Sequence, residues 1–489
     1  MQNLYSFINS YLSKRWVSTL ILIIVIVGNL YVYVHRSERN FICKEKRREL
    51  TTGFSHNWGQ EFIYFYYYKD LFPVALPDIK KDYSEKAADD YLSQHGKDLL
   101  MEYNHWVRFG NHSRIFCYLP NAILTGTAEN PSINLFNFLV FIGALVTFYI
   151  GMRKAGHSFL ALIVIALVNT QSFFLYEVFV NENIFGLLAS VFLLVCGLNA
   201  VYIFKPPNNY KYLLIPILSG VLISFFAGIR GEINVVLISV LLIYIFSIIR
   251  PLLKILSIAL LLGFFFITQL LTESYFDSKI EQAENVIEKS GGHIYNGKML
   301  GKHPLWHTVF CGLGDFDKKY GYKWHDTVAY WYGVPKMSSL MGHEFKYSGK
   351  YHLDEYYDSN EKYYKKPDDF VEYEGICKEK VLSDIENDPL WFVGIMIKRL
   401  NRIFSNTLPF QYAGYLLLPA LIVVFFKRKW RLFVLLLSSM PLSLTPLVIF
   451  SGGNSTFNSI FPFFAIAVLL LFLFELIRVQ KRKAWQANT

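Results

Sequence analysis

The residues best suited to chemistry are ionisable side chains in two short turns between long apolar runs. Arg230 and Glu232 lie in one turn, and Glu177 and Glu182 bracket the other. Charge close to the hydrocarbon of a bilayer is costly and usually serves a function. Because a planar guanidinium binds phosphate through two parallel hydrogen bonds, Arg230 is a candidate for binding a membrane-bound anion.

Each of these charges also has a plain structural role open to it. Glu177 and Glu182 could cap the following helix, because carboxylates stabilise a helix N-terminus. Arg230 could pair with Glu232 and do nothing more. The residue types by themselves leave both interpretations open.

A second group of potential ligands lies further along the chain. It contains His303 and His307, followed by four residues that could offer oxygen or nitrogen to a divalent cation: Asp315, Asp317, His325 and Asp326. Their spacing matches no established metal-ligand pattern, and Gly-Asp turns with hydrogen-bonded histidines are typical of a structured loop. We therefore predict no metal site, and a divalent cation is only an option as a cofactor.

Motifs and charge exclude several other classes of protein. The sequence contains no Walker A loop, no nucleophile elbow and no His-Glu-x-x-His motif, which argues against ATP-driven, serine-hydrolase and zincin chemistry. The formal charge of +10 could suggest nucleic acid. The basic residues, however, concentrate at the ends of apolar runs, where membrane topology explains them. We expect no nucleic-acid partner.

The elements that must position these residues are membrane-spanning helices. Of the 489 residues, 53% are hydrophobic and only 18% are charged, below the roughly 25% of soluble domains. About 20 apolar residues cross the roughly 30 Å of hydrocarbon, and the sequence predicts an all-α polytopic membrane protein with about ten transmembrane helices on that criterion. The predicted segments are 16–34, 135–152, 159–176, 183–204, 212–228, 233–249, 252–271, 412–426, 432–450 and 460–477.

The basic residues of the short connections predict the orientation. Fourteen Lys and Arg residues lie in the connections and tail of one side, whereas the short connections of the other side hold only Arg230. Because cytoplasmic loops carry the excess of basic residues, both termini are predicted in the cytoplasm and both long polar stretches outside. The basic run 36–48 opposes this orientation, but the later connections agree with one another.

The predicted organisation follows the chain in order. It comprises a cytoplasmic N-terminus (1–15), a first transmembrane helix (16–34), a first outer loop with interfacial helices (35–134), six helices (135–271), a second outer loop or cap (272–411), three helices (412–477) and a cytoplasmic tail (478–489). The first helix is interpreted as a retained anchor, because it is long for a signal-peptide core. We expect the second loop to be an irregular cap, since it has few β-branched residues.

Each outer loop contains two cysteines. Cys43 and Cys117 lie in the first loop, and Cys311 and Cys377 lie in the second. An oxidising compartment permits one disulfide within each loop. The sequence alone cannot fix the pairing, and four unrelated thiols are an equal alternative.

This layout resembles the GT-C fold glycosyltransferases, which take a sugar from a polyprenyl-phosphate carrier outside the cytoplasmic membrane. The resemblance rests on a first span followed by a loop of interfacial helices with an acidic residue, and on the turns at 176–183 and 230–232. An amphipathic segment, 389–402, leading into the last spans also fits. Size and two-loop layout are similar to the phage-type glucosyltransferases that modify O-antigen.

The resemblance implies roles for particular residues. Glu61 would be the catalytic base that accepts the proton of an acceptor hydroxyl, with Asp70 and Glu182 as further catalytic candidates. The paired acidic dipeptide of some relatives is replaced here by Gln60-Glu61. The remaining implied residues are Arg230 and Arg399, which would bind the donor phosphate, and Glu177, Glu232, Tyr64, His303 and His307, which would bind substrate.

The implied activity is that of an inverting hexosyltransferase, for glucose or a similar hexose, in the bacterial inner membrane. Its partners would be a polyprenyl-phosphate sugar donor, a glycan or glycolipid acceptor such as the O-antigen of lipopolysaccharide on the periplasmic face, and membrane lipid. An O-antigen polymerase or ligase is an alternative, and its loops would need basic residues such as Arg108, Arg114 and Lys398. A transporter is a weaker alternative, because the chain shows no internal repeat.

Overall fold

The computed structural model describes residues 15–35, 62, 65–66, 112–128, 132–170, 175, 178–179, 187–205, 207, 209–289, 305–316, 318–342, 346–347, 356–357, 370–405, 412–448 and 460–487. The regular structure of these residues is helical, except for one antiparallel pair of two-residue strands, β1 (Lys346–Tyr347) and β2 (Tyr356–Tyr357).

The α-helices follow one another along the chain with short connections. They are α1 (Arg15–Val34), α2 (Leu119–Thr125), α3 (Asn134–Lys154), α4 (Ser158–Asn169), α5 (Leu187–Phe204), α6 (Leu214–Ala227), α7 (Asn234–Phe246), α8 (Pro251–Lys289), α9 (Leu305–Leu313), α10 (Asp326–Met341), α11 (Val371–Asn387), α12 (Pro389–Ser405), α13 (Leu417–Phe426), α14 (Trp430–Val448) and α15 (Ile460–Ala487). Short 3-10 helices cover His112–Tyr118, Tyr210–Leu213, Gly231–Ile233, Lys319–Gly321 and Ala413–Leu416.

Apolar helices confirm an α-helical membrane protein. Within the described residues, five are long and apolar enough to cross a bilayer: Trp16–Val34, Asn134–Lys154, Leu187–Phe204, Tyr210–Ala227 and Pro251–Lys279. Shorter apolar helices, in α4, α7, α13, α14 and α15, coincide with the other five predicted segments. The total of ten spans stays a prediction.

Hydrogen bonds between neutral side chains join the membrane helices in their interior. Asn199 of α5 donates through Nδ2 to Ser219 Oγ of α6 at 2.9 Å. Tyr244 of α7 donates through its hydroxyl to Asn199 Oδ1 at 2.6 Å. Lipid offers polar groups no partners, so side chains such as these satisfy one another across the helix interfaces. The network therefore fixes α5, α6 and α7 together.

Helices α9 to α12, called the cap below, surround a second apolar core. Its buried residues include Phe310, Tyr322, Met337, Tyr373 and Val381. The prediction of an irregular cap is wrong for these residues. The apolar positions of α11 recur at helical spacing, but they stand among so many charged residues that the pattern is weak in the sequence.

The cysteines of the cap also differ from one option left by the sequence. Cys311 and Cys377 both lie in the cap core as reduced thiols, so the disulfide that the sequence permitted between them is not formed. Cys117 is likewise a buried thiol, and Cys43 lies outside the described residues. Apolar packing, and not a covalent link, holds α9 against α11.

Helix α8 is longer than the sequence predicted. The sequence placed the end of this span at residue 271, whereas the helix continues to Lys289. The added segment is rich in Glu, Gln, Lys and Ala, which propagate a helix well in water. Since α7 and α8 form a hairpin across residues 247–250, α8 returns the chain to the side of the turn that contains Arg230 before the cap begins.

Candidate functional site

The turn between α6 and α7 contains an ion pair. Arg230 Nη2 lies 2.7 Å from Glu232 Oε1, and the two side chains are 13% and 20% exposed. Ile229 and Ile233 on either side are buried in the membrane core, which anchors the turn. The pairing that the sequence left open for Arg230 is therefore present.

A 3-10 helix from the first polar stretch docks on this turn. The backbone N–H of Ser113 donates to the carbonyl oxygen of Gly228 at 2.9 Å. A Cβ atom on Gly228 would lie 2.6 Å from Ser113 Oγ, closer than real Cβ contacts allow. Glycine is required for this approach, which brings residues 112–118 beside Arg230.

Arg114 of this 3-10 helix adds a second guanidinium to the turn. The residue is only 6% exposed. Burial away from water lowers the pKa of its guanidinium, and the charge of Arg230 lowers it further, while Glu232 opposes the change. Because arginine stays protonated in proteins, two positive groups share one carboxylate here. We call Arg114, Arg230 and Glu232 the turn cluster.

The aromatic run after Glu61 packs on the same 3-10 helix wherever it is described. The rings of Phe62 and Tyr118 have centroids 5.4 Å apart, and those of Phe65 and Phe116 are 5.8 Å apart. Phe62 is fully buried. The first polar stretch therefore folds onto the membrane helices through its aromatic side chains.

Arg399 of α12 belongs to a different group of charges, within the cap. It is 2% exposed, and burial lowers the pKa of its guanidinium to about 10, an effect that Asp315 opposes and Arg402 strengthens. Arg402 Nη2 lies 2.5 Å from Asp315 Oδ2, and its guanidinium carbon is 4.4 Å from the centre of the Phe316 ring. The two predicted phosphate-binding arginines, Arg230 and Arg399, thus have different partners.

His307 of α9 lies in a third group, also in the cap. Its Nδ1 is 2.8 Å from the hydroxyl of Tyr373, and its Nε2 is 3.3 Å from Asp326 Oδ1 and 3.9 Å from Cys311 Sγ. Its ring stacks on Tyr330 with centroids 5.1 Å apart. The nitrogen, sulfur and carboxylate donors of His307, Cys311 and Asp326 all lie within 4.8 Å of one another, a spacing that could hold a metal ion.

The structure separates the predicted cation ligands. Asp315 pairs with an arginine, and His325 Nδ1 accepts from the N–H of Thr327, which caps α10. Asp326 instead joins His307 and Cys311, and burial raises the pKa of the Cys311 thiol. Sequence reasoning missed Cys311 in this role, although its four-residue spacing from His307 was a signal for one helix face.

Several predicted site residues lie outside the part of the chain that the structure describes. They are Glu61, Asp70, Glu177, Glu182, Tyr64, His303 and Asp317. Their predicted roles stay predictions. Of the remaining predicted residues, Arg230 and Glu232 are together in the turn cluster, whereas His307 and Arg399 lie in two separate groups of the cap.

Comparison of the chain with protein-family models, with curated proteins and with solved structures finds no match. The functional conclusion therefore depends on the residues themselves and on their geometry.

Proposed function

We propose that the protein is a membrane glycosyltransferase that moves a hexose from a polyprenyl-phosphate carrier to a cell-envelope glycan such as O-antigen. The observation that carries the proposal is the turn cluster: two buried or half-buried guanidinium groups and one carboxylate where apolar helices end. A polyprenyl phosphate keeps its chain in hydrocarbon and its anionic group at this depth, so the charge and the location fit the donor.

The charge balance of the turn cluster favours an anion. Glu232 compensates the charge of one arginine, and a phosphate would compensate the other. Charges attract more strongly where water is scarce, and arginine is suited to phosphate because its planar fork can donate two hydrogen bonds at once. A bound phosphate would also reduce the cost of burying Arg114, whose lowered pKa reflects that burial.

The chemical step follows from one base and one charge clamp. Glu61 takes the proton of the acceptor hydroxyl as that oxygen attacks the anomeric carbon. The bond from this carbon to the phosphate oxygen breaks, and the turn cluster stabilises the charge that grows on the departing polyprenyl phosphate. Attack opposite to the leaving group inverts the anomeric centre. The packing of Phe62, next to Glu61 in the sequence, against Tyr118 of the 3-10 helix supports this pairing.

The proposal includes a GT-C-like arrangement of about ten spans in the bacterial inner membrane, with cytoplasmic termini and a periplasmic cap. The match between apolar helices and predicted segments supports the span count, and the hairpin of α7 and α8 supports a cap on the side of the turn cluster. Single cysteines placed in the cap, in a cysteine-free background, should react with an impermeant reagent in intact cells. Reaction only after lysis would reverse the orientation.

A transfer assay tests the activity. The full chain, purified into lipid nanodiscs, is incubated with a panel of labelled polyprenyl-phosphate hexoses and O-antigen, and labelled glycan and released polyprenyl phosphate are quantified. Arg230→Gln and Arg114→Gln should each lower the rate about 10²–10³-fold, as the loss of one charge-stabilising donor does. If no hexose is transferred by the native chain, the proposal is wrong.

A matched arginine at the opposite end of the membrane helices controls for loss of charge alone. Arg153 at the end of α3 donates to Thr19 Oγ1 at 3.2 Å, and Arg153→Gln should keep the native rate. Glu61→Gln should abolish transfer while leaving expression intact. Full activity in Glu61→Gln would move the base to Asp70 or Glu182.

The second guanidinium favours one alternative, an O-antigen polymerase or ligase. Such an enzyme uses a diphosphate-linked oligosaccharide, whose additional negative charge would suit Arg114 together with Arg230. The size of the product separates the two functions in the same assay. One added sugar supports the transferase, whereas a ladder of longer chains formed from a diphosphate-linked donor would replace it with the polymerase.

A further inference from the structure

We infer that His307, Cys311 and Asp326 form a binding site for one divalent transition-metal ion of the zinc class in the cap. This site is independent of the proposed sugar transfer. Its three donor atoms come from two helices that the fold brings together: His307 and Cys311 from α9, and Asp326 from the first position of α10.

The spacing of the donor atoms fits tetrahedral coordination. Zinc lies about 2.0 Å from imidazole nitrogen and carboxylate oxygen and about 2.3 Å from thiolate sulfur, so tetrahedral ligands lie about 3.3 Å (N to O) and about 3.5 Å (S to either) apart. The separations here are 3.3 Å from His307 Nε2 to Asp326 Oδ1, 3.9 Å from Cys311 Sγ to Nε2 and 3.8 Å from Sγ to Oδ1. A small inward movement of the sulfur completes three corners of a tetrahedron.

Local structure explains why these side chains meet. His307 and Cys311 are four residues apart in α9, so they lie on the same helix face. The chain after α9 folds back on itself at Gly314, where an added Cβ would overlap the backbone of Lys323. This close approach returns the chain so that α10 begins beside α9 and Asp326 reaches His307.

The surroundings of His307 match those of a metal-binding histidine. Such a histidine usually donates its other ring N–H to an oxygen, which fixes its tautomer, and Nδ1 lies 2.8 Å from the hydroxyl of Tyr373. Stacking on Tyr330, with ring planes 21° apart, fixes the ring orientation. Glu374, next to Tyr373, accepts hydrogen bonds from the N–H groups of Leu305, Trp306 and His307 at 2.5, 2.7 and 3.1 Å.

The donor set selects the metal and argues against a thiol enzyme. A thiolate with an imidazole and a carboxylate suits zinc better than magnesium or calcium, which prefer oxygen ligands alone. In Cys-His-acid catalysis the acid orients the imidazole from the nitrogen opposite to the nucleophile. Here Cys311 and Asp326 both face Nε2, as ligands of one ion would.

The site opens to solvent on one side. The side chain of Asp326 is 65% exposed, whereas that of His307 is 7% exposed. A fourth corner filled by water on the side of Asp326 would give three protein ligands and one exchangeable position. That is the pattern of zinc sites that act on a substrate and not only on the fold.

Cobalt binding to the purified full chain tests the inference. The protein in detergent is treated with a chelator, passed through a desalting column and titrated with Co²⁺, and thiolate-to-cobalt absorption is recorded. The native chain should bind one ion. Asp326→Asn, an exposed and fold-neutral change, should weaken binding at least 100-fold, and Tyr373→Phe should weaken it about 10–100-fold. Cys311→Ser should abolish the charge-transfer band.

Cys377→Ser is the matched control, because Cys377 is an equally buried thiol of the same core. It should keep the band and the affinity. Zn²⁺ should raise the unfolding temperature of the native chain and of Cys377→Ser but not of Asp326→Asn. If the native chain takes up no cobalt, or if Cys311→Ser keeps the band, the inference is wrong and the three residues are a hydrogen-bonded cluster of the cap core.

Discussion

The membrane helices and the cap place buried polar groups in different ways. In the membrane helices, the neutral side chains of Asn199, Ser219 and Tyr244 hydrogen-bond to one another across helix interfaces. In the cap, the charged Glu374 binds three backbone N–H groups at the start of α9. Since charge is far more costly in hydrocarbon than neutral polarity, each region uses the strongest partner that its surroundings permit.

Two clusters of arginines lie near the boundary between these regions and have the same composition. Each contains two guanidinium groups and one carboxylate: Arg114 and Arg230 with Glu232, and Arg399 and Arg402 with Asp315. In the second cluster, Arg402 also covers the ring of Phe316, so its charge serves the packing of the cap. The position of the first, where membrane helices end, favours a ligand.

The largest effect in the cap should come from Gly314→Ala. A Cβ at this position overlaps the backbone of Lys323, so the return of the chain toward α9 must shift, at a cost of about 3 kcal/mol in the free energy of unfolding. Thermal unfolding of the purified protein measures it. Gly375→Ala in α11 is the control with opposite sign: its Cβ meets nothing within 4 Å, and it should add about 0.5–1 kcal/mol.

Glu374→Gln should be the next most harmful change. An amide replaces one carboxylate oxygen with an NH₂ group, so part of the N–H cluster of residues 305–307 loses its acceptor, at a cost of about 2 kcal/mol. Hydrogen exchange of the α9 amides should accelerate. Glu379→Gln, on the exposed side of the same helix, should leave exchange unchanged. Equal exchange in both variants would mean that a charged acceptor is not what stabilises the cap.

Asn199→Leu should have a smaller effect, because neutral hydrogen bonds between membrane helices contribute little individually. The loss of the bonds to Ser219 and Tyr244 should lower the free energy of unfolding by about 1–2 kcal/mol, measured by detergent-induced unfolding. The control is Asn169→Leu, since Asn169 donates only to Ile165 O of its own helix. A larger loss for Asn199→Leu than for Glu374→Gln would contradict the contrast between the regions.

Asp388→Asn should have the smallest effect and should depend on pH. The hydrogen bond from Lys319 lowers the pKa of the Asp388 carboxyl, so the carboxylate stabilises the fold above its unfolded pKa. That contribution is lost as the pH falls through the lower, folded value. The unfolding temperatures of the native chain and of Asp388→Asn should differ slightly at pH 7 and converge below about pH 3.9. Asparagine still caps α12 through Trp391, so a difference that persists in acid would exclude the ion pair.

Much of the membrane fold was predictable because the length of an apolar run is a local property. The five long spans and five shorter apolar helices fall on the predicted segments. The cap helices were missed because apolar positions such as Tyr373, Ile376 and Val381 are diluted by charged neighbours. The extension of α8 to Lys289 was missed because hydropathy marks the end of a span and not the end of a helix.

The candidate sites divide in the same way. The pairing of Arg230 with Glu232 was open to prediction, since two residues of chain separate them. The approach of Arg114 was not, because it depends on the contact between Ser113 and Gly228 across more than a hundred residues of chain. Charge type is visible in a sequence, but the distance between two charges is a property of the packed chain.

By itself, the sequence determined that this chain is a helical membrane protein with ionisable residues in the turns between its apolar helices, because apolar length and charge position are set residue by residue. Only the tertiary structure decided that Arg114 joins Arg230, and that Asp326 meets His307 and Cys311. Those encounters depend on close backbone approaches at Gly228 and Gly314, and such approaches exist only after distant segments have packed together.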